Sequence, residues 1–303
     1  MSSFPLPDYI HNWVVEYLDQ RKHCTRYGDE ISTMQEINAS IVQGSGFGPS
    51  AFVFNASDLH PLNEGNHMYK YADDIYLVVP ARNSMTIPAE IARIGEWAEV
   101  NNLKLNVLKS LEMIVRHPRA RKGDIPDPPT QPDILRVDHV VVLGVILQSN
   151  LKFDKHIEKV VNRAAQSFYA LRLLRAHGLS GVSLWDVTRS TMLSQMLYAS
   201  EVWWGFADQA GRSRLQAVIN RAVRQGYLPP DQKPFDLCCA SADDNLFKTI
   251  LHNKNHVLHG LLPPVKETRY NLRSRAHNRI LPQENDTLLR KNFIYCMLYK
   301  DIY

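Results

Sequence analysis

Cysteine is scarce in this chain: four residues in 303, Cys24, Cys238, Cys239 and Cys296. Their positions show no framework spacing, which excludes a disulfide-stapled fold and fits a reducing compartment. Long apolar runs are also missing. No stretch approaches the roughly 18 residues of a membrane helix, and MSSFPLPDYIHNW has no basic-then-apolar leader layout. The expectation is a soluble intracellular protein, not secreted and with no membrane partner, whose sequence carries no address separating nucleus from cytoplasm. Neither GxGxxG nor a P-loop occurs.

At 303 residues and 45% hydrophobic, the chain has room for two domains with buried cores. Its net charge of +4 is unevenly spread. Residues 1–150 carry 13 Lys/Arg against 18 Asp/Glu, net −5, whereas residues 151–230 carry 11 against 5, net +6. An acidic part followed by a basic one suggests metal chemistry in front and a polyanion held behind. Ordinary solvated charge on helix surfaces is the competing reading.

MYKYADDIYLVV, Met68 to Val79, is written as a tight hairpin with Asp73 and Asp74 at its tip. Such carboxylates are the oxygen ligands Mg²⁺ takes, although Asp is also a common turn residue. Upstream, Ile10, Trp13, Val14, Tyr17 and Leu18 have the spacing of an amphipathic helix. The loop Gln43-Gly44-Ser45-Gly46-Phe47-Gly48-Pro49 leads into a helix running to Leu59, a plausible phosphate or nucleotide seat as well as an ordinary loop. Downstream, Ile87, Ile91, Ile94, Trp97 and Ala98 trace a second helical face ending at Asn101-Asn102. Leu111 to Val115 reads as a strand, with Lys109 just before it. The segment 116–132, with a basic cluster and five prolines, reads as a surface loop, and Val140 to Leu147 as one buried strand with Gly144 in its middle.

From Asp154 only helical patterns remain. Stripes from Ile157 to Leu171, Leu184 to Leu197 and Leu215 to Val223 imply a three-helix bundle, and the charge reversal places a domain border near 150. Tyr198, Trp203, Trp204 and Phe206 fit bundle core better than a base-stacking platform. Residues 231–303 read as a less regular, mixed C-terminal tail. His252, His256 and His259 fall on one helix face by spacing, but the adjacent Cys238 and Cys239 lack the gap zinc ligands use, which makes zinc a poor fit. Arg269, Arg273, Arg275 and Arg279 form a basic stretch suited to RNA backbone.

The order of these motifs is more specific than any one of them. A QGxxxGP loop precedes a YADD hairpin; Gly95-Glu96-Trp97-Ala98 then leads into NNLKLNVLKS, LGV and a basic helical bundle. This resembles the reverse transcriptases of non-LTR, LINE-type retrotransposons, from the helix after their first catalytic motif to the end of the chain. The resemblance implies an α+β fold: a truncated polymerase palm, an antiparallel sheet with helices, over 1–150, a helical thumb-like domain over 151–230 and a basic C-terminal region over 231–303. It implies metal ligation by Asp73 with support from Asp74, nucleotide and template contacts at Gln43, Gly44, Gly48 and Tyr71, and Lys109 facing the triphosphate. Leu143, Gly144 and Val145 match the primer grip. The basic bundle suggests Arg212, Arg214, Arg221 and Arg224 as phosphate contacts.

The implied reaction is two-metal, Mg²⁺-dependent nucleotidyl transfer from a dNTP to a primer 3′-hydroxyl on an RNA template, with an RNA/DNA duplex as partner. The family's further metal-binding aspartate lies in an upstream Ala-Phe-Asp segment, and these 303 residues contain none. The expectation is therefore a transposable-element polymerase fragment inactive alone; the alternative is a non-catalytic RNA or RNA/DNA binding remnant.

Overall fold

The computed structural model describes residues 7–37, 44–117, 126–266, 277–283 and 286–300. It is a mixed α+β protein whose contacts separate into two units: Met1–Ser110 with Ile125–Ile134, and Leu111–Asp124 with Leu135–Tyr303.

In the first unit, α1 (Asp8–Leu18) buries only Val14 of its expected stripe. Trp13 stays half-exposed because it stacks on Tyr17, with ring centroids 5.3 Å apart, and both rings meet the edge of Phe47. An arm of two short ladders follows. Strand β1 (Lys22–His23) pairs antiparallel with β4 (Gln35–Glu36), and β2 (Arg26–Tyr27) with β3 (Glu30–Ile31), all of them exposed. Helix α2 (Gly48–Asn55) carries Pro49 in its first turn, where a missing N–H costs nothing.

Strands β5 (His67–Tyr71) and β6 (Asp74–Val78) form the expected hairpin in antiparallel register, Tyr71 opposite Asp74 and Met68 opposite Leu77. One face, Met68, Ile75 and Leu77, packs on Leu59 and on Ile94, Trp97 and Ala98 of α3 (Ile87–Val100). The period of two that buries this face leaves Tyr69, Tyr71 and Val78 exposed on the other.

The second unit opens with β7 (Leu111–Glu112), shorter than the expected 111–115 strand. It runs parallel to β8 (Leu135–Arg136), and a two-pronged Arg136–Glu112 ion pair at 3.0 and 3.1 Å locks the rung. The run 140–147 is not one strand. It is the hairpin β9 (His139–Val142) and β10 (Val145–Gln148), turned at Leu143 (φ +45°) and Gly144 (φ +89°). Two successive positive φ values are what a two-residue primed turn requires. Val145 and Leu147 enter the helical core, and by contacts the chain leaves the first unit after Ser110 and returns to it for Ile125–Ile134.

Helix α4 (Asp154–Ala176) buries Ile157, Val160, Ala164, Phe168 and Leu171, the stripe expected from sequence. Its His156 is 3% exposed. The ring accepts the Ile146 N–H at Nδ1 (3.3 Å) and lies 5.3 Å from the Trp203 ring. Burial, seconded by the Lys159 charge, pulls this imidazole down to about 4, so it is neutral at pH 7.

The next helical stretch is α5 (Gly181–Thr188), a π turn (Arg189–Leu193) and α6 (Ser194–Leu197). It breaks at Ala199, which is left-handed (φ +50°), before the single turn α7 (Ser200–Trp203). Helix α8 (Gln209–Arg224) is capped by Asp208, whose carboxylate accepts the Gly211 N–H at 2.7 Å. Gly211 lets α4 come close, since a Cβ there would stand 2.8 Å from Ile157 Cδ1. Trp203 and Trp204 are buried and Phe206 packs against the same core, while Tyr198 remains exposed.

The region expected to be irregular begins with an 18-residue helix, α9 (Phe235–His252), which buries Phe235, Cys239, Phe247 and Ile250. Helix α10 (Phe293–Tyr299) closes a second core over it with Ile294, Met297 and Leu298. The three histidines do not share a helix face, because α9 ends at His252. Each ring engages a nearby backbone group: His252 meets the Lys248 carbonyl, His256 the Leu258 N–H and His259 the Ile250 carbonyl. Of the basic stretch, Arg269, Arg273 and Arg275 lie outside the described residues.

Candidate active site

The carboxylates expected to hold metal sit where a two-residue turn puts them. Ala72 has φ +50°, Asp73 is the exposed second turn residue, and Asp74 begins β6 across from Tyr71. The Tyr76 hydroxyl donates to Asp74 Oδ2 at 3.3 Å. Asp73, Asp74 and Tyr71 (63% exposed) thus share one open end of the hairpin. They offer hard oxygen donors of the kind Mg²⁺ takes. Among the described residues, no group of three or more His, Cys, Asp or Glu side chains could hold a metal ion.

Two buried features hold this hairpin, and the sequence reading missed both. Lys70, on the inward face, donates to the Ala56 carbonyl and, at 2.8 Å, to that of Leu59. Burial lowers its amine's affinity for a proton, while Asp58 opposes that shift. Glu90 of α3 is fully buried and receives four hydrogen bonds, from the Leu62 N–H (2.9 Å), the Asn63 N–H (3.0 Å), Asn63 Nδ2 (3.0 Å) and Asn66 Nδ2 (2.8 Å). Burial alone would raise its pKa, but the hydrogen bonds outweigh it and hold the carboxyl below its usual range. The signal was present: Glu90 stands three residues after Ile87 and four before Ile94, on the buried stripe of α3.

The other expected site residues lie on different elements. Gly44 (φ +81°) is in the loop before α2, Gly48 is the buried first residue of that helix, and Gln43 lies outside the described residues. Lys109 ends the short 3₁₀ turn Val107–Lys109, with its side chain exposed and its N–H on Asn106 Oδ1 at 3.2 Å. In the second unit, Leu143, Gly144 and Val145 form the tip of the β9–β10 hairpin. The four arginines lie along α8 but are not equivalent. Arg212 donates to the Ala207 and Trp204 carbonyls, both at 3.1 Å, and lies over the Trp204 ring. Arg221 lies over Phe168. Arg214 and Arg224 are exposed. If α8 meets nucleic-acid phosphates, replacing either exposed arginine by Ala weakens that binding and flattens its salt dependence by about one unit. Arg212→Ala should instead lower the melting temperature and leave the slope in place. Fluorescence anisotropy titrations across a salt series, with thermal melts, separate the two effects.

Sequence comparison finds two curated relatives in Drosophila melanogaster. The "Probable RNA-directed DNA polymerase from transposon BS" is 26% identical over 243 residues, 73% of this chain and 26% of the relative. The "Probable RNA-directed DNA polymerase from transposon X-element" is 24% identical over 236 residues, 72% of this chain and 25% of the relative. The chain is related to the reverse transcriptases of non-LTR retrotransposons. It spans about a quarter of the length of these curated relatives. No family model matches it, and no solved structure does. The relationship agrees with the resemblance carried by the order of the motifs.

Proposed function

We propose that this chain is part of an RNA-directed DNA polymerase of a non-LTR retrotransposon, its first unit belonging to the palm and its helical unit acting as the thumb. The observation that carries this reading is the β5–β6 hairpin, which presents Asp73 and Asp74 at an exposed turn, in a chain related to polymerases. When bound, Mg²⁺ supplies activation of a primer 3′-hydroxyl and charge neutralisation at the leaving pyrophosphate. Asp73 and Asp74 would ligate it, Tyr71 would support the terminal base pair and Lys109 would meet the triphosphate. Substrates are then a dNTP and an RNA template with an annealed primer.

Two neighbouring carboxylates from one turn leave the two-metal arrangement short of a bridging ligand from a second strand. The chain by itself is therefore expected to be inactive. Incubated with oligo(dT)-primed poly(rA), dTTP and Mg²⁺, it should give no extension, and fusing a segment that contains an Ala-Phe-Asp strand ahead of it should restore extension that Asp73→Asn abolishes. Asp73-dependent extension by the unfused chain would overturn the inactivity. Failure of the fusion to extend while the chain still binds the primed template would favour a binding role without chemistry.

A further inference from the structure

We infer that Tyr198, assisted by Lys159, is a positioning residue that sets the β9–β10 tip against the primer strand of a bound RNA/DNA duplex. This rests on the reading of Leu143, Gly144 and Val145 as the tip that faces the duplex. Both carbonyls of the two-residue turn are held by side chains from the helices. The Tyr198 hydroxyl donates to the Leu143 carbonyl at 2.9 Å, and Lys159 Nζ to the Gly144 carbonyl at 3.2 Å. The Tyr198 ring also floors the turn, since a Cβ on Gly144 would lie 3.4 Å from its Cε1. Behind the tip, His156 takes the Ile146 N–H, so the hairpin is held at its turn and along one edge.

The backbone that presents Tyr198 is itself unusual. It follows a π turn and precedes Ala199 in the left-handed region (φ +50°), which strains a non-glycine residue. Its carbonyl is fixed by Trp203 Nε1 at 3.2 Å. The turn at Ala199 carries Ser200 and Trp203 into the core, and the side chain just before it, Tyr198, is 56% exposed. The same conformation stands a phenol beneath a turn whose own Leu143 is also exposed. Two fixed turn carbonyls leave the tip little freedom, as a surface that must meet one strand of a duplex in a single register requires.

The test is binding by the full chain to a labelled RNA/DNA duplex with a recessed DNA 3′ end, with the same duplex blunt-ended and single-stranded RNA as references. Tyr198→Phe removes one hydroxyl from an exposed ring. It is expected to reduce the preference for the recessed end roughly fivefold, while the thermal midpoint falls only by the small amount one exposed hydrogen bond is worth and single-strand affinity stays unchanged. Lys159→Met should reduce the same preference, and both should leave far-UV circular dichroism intact. Leu143→Glu, at the tip itself, is the control for the underlying reading. If it leaves recessed-end binding untouched, the tip does not face the duplex and both readings fall. If it abolishes that preference while Tyr198→Phe and Lys159→Met retain wild-type values, the tip reading stands and the positioning role is overturned.

Discussion

Glu90→Ala is expected to destabilise the first unit by about 3–5 kcal/mol, since it removes several hydrogen bonds to a charged group, each worth about 1.5–3 kcal/mol. The carboxylate is fully enclosed and its four donors lie in the 62–66 segment that feeds directly into β5. Alanine leaves the Leu62 and Asn63 N–H groups and the Asn63 amide without this acceptor, while Asn66 Nδ2 keeps the Thr86 hydroxyl at 3.0 Å, and each orphaned donor is costly away from water. The pH dependence has a definite sign. A carboxyl whose folded pKa lies below its unfolded one contributes stability that is complete above about pH 4.5 and is lost as pH falls through the depressed folded value. Chemical denaturation between pH 3 and 8, followed by a probe in unit one, should show a steep acid limb in the wild type and a flatter one in Glu90→Gln. A Glu90→Ala chain of unchanged denaturation midpoint would remove the network from any structural role.

Trp203→Ala should lower the stability of the helical unit by about 3–5 kcal/mol, the cost of emptying an aromatic core position. The indole is 0% exposed, meets the edges of His156 and Trp204, and donates to the Tyr198 carbonyl at 3.2 Å. Trp203→Phe keeps much of the volume but loses the indole donor, so its cost should be smaller, roughly 1–2 kcal/mol. Guanidinium titrations of both variants measure the two costs. Stability near wild type, with nucleic-acid binding lost, would mean that the ring stacks on bases and is not core.

How much of this was legible depended on whether a residue's role follows from periodicity. The stripes of α4 and α8 and the alternation in β5–β6 are direct imprints of helix and strand geometry on the sequence, and the structure reproduces them. The run 140–147 misled because HVVVLGVILQ is β-branched and apolar almost throughout. A turn whose first residue is Leu carries no signal beyond the following Gly144, since leucine seldom adopts positive φ. The tail looked irregular because α9 spaces its buried residues widely around a polar stretch, from Cys239 to Phe247. In the candidate site, Asp73 and Asp74 were readable from their turn. Of their supports, Glu90 showed only its place on the buried stripe of α3 and Lys70 showed nothing, because charged side chains are ordinarily assigned to the surface and only the tertiary structure supplies their partners. Arg212 is a further case: its charge suggested phosphate, and its hydrogen bonds to the Ala207 and Trp204 carbonyls carried no signal in the sequence.

The π turn at Arg189–Leu193 has a consequence for phase. Leu184, Thr188, Met192 and Met196 are all buried at a strict spacing of four. On an α-helix that spacing drifts by about 40° at each step, enough to carry the last of them away from the core. A π turn advances less per residue and takes up most of the drift, acting as one inserted residue within the helix. Straightening it to an ordinary α-helix with every residue kept would rotate everything after it by roughly 90°, whereas deleting one residue within it would restore the α-helix and leave the later residues nearly in phase. The π conformation between Thr188 and Tyr198 therefore decides which way the Tyr198 hydroxyl points.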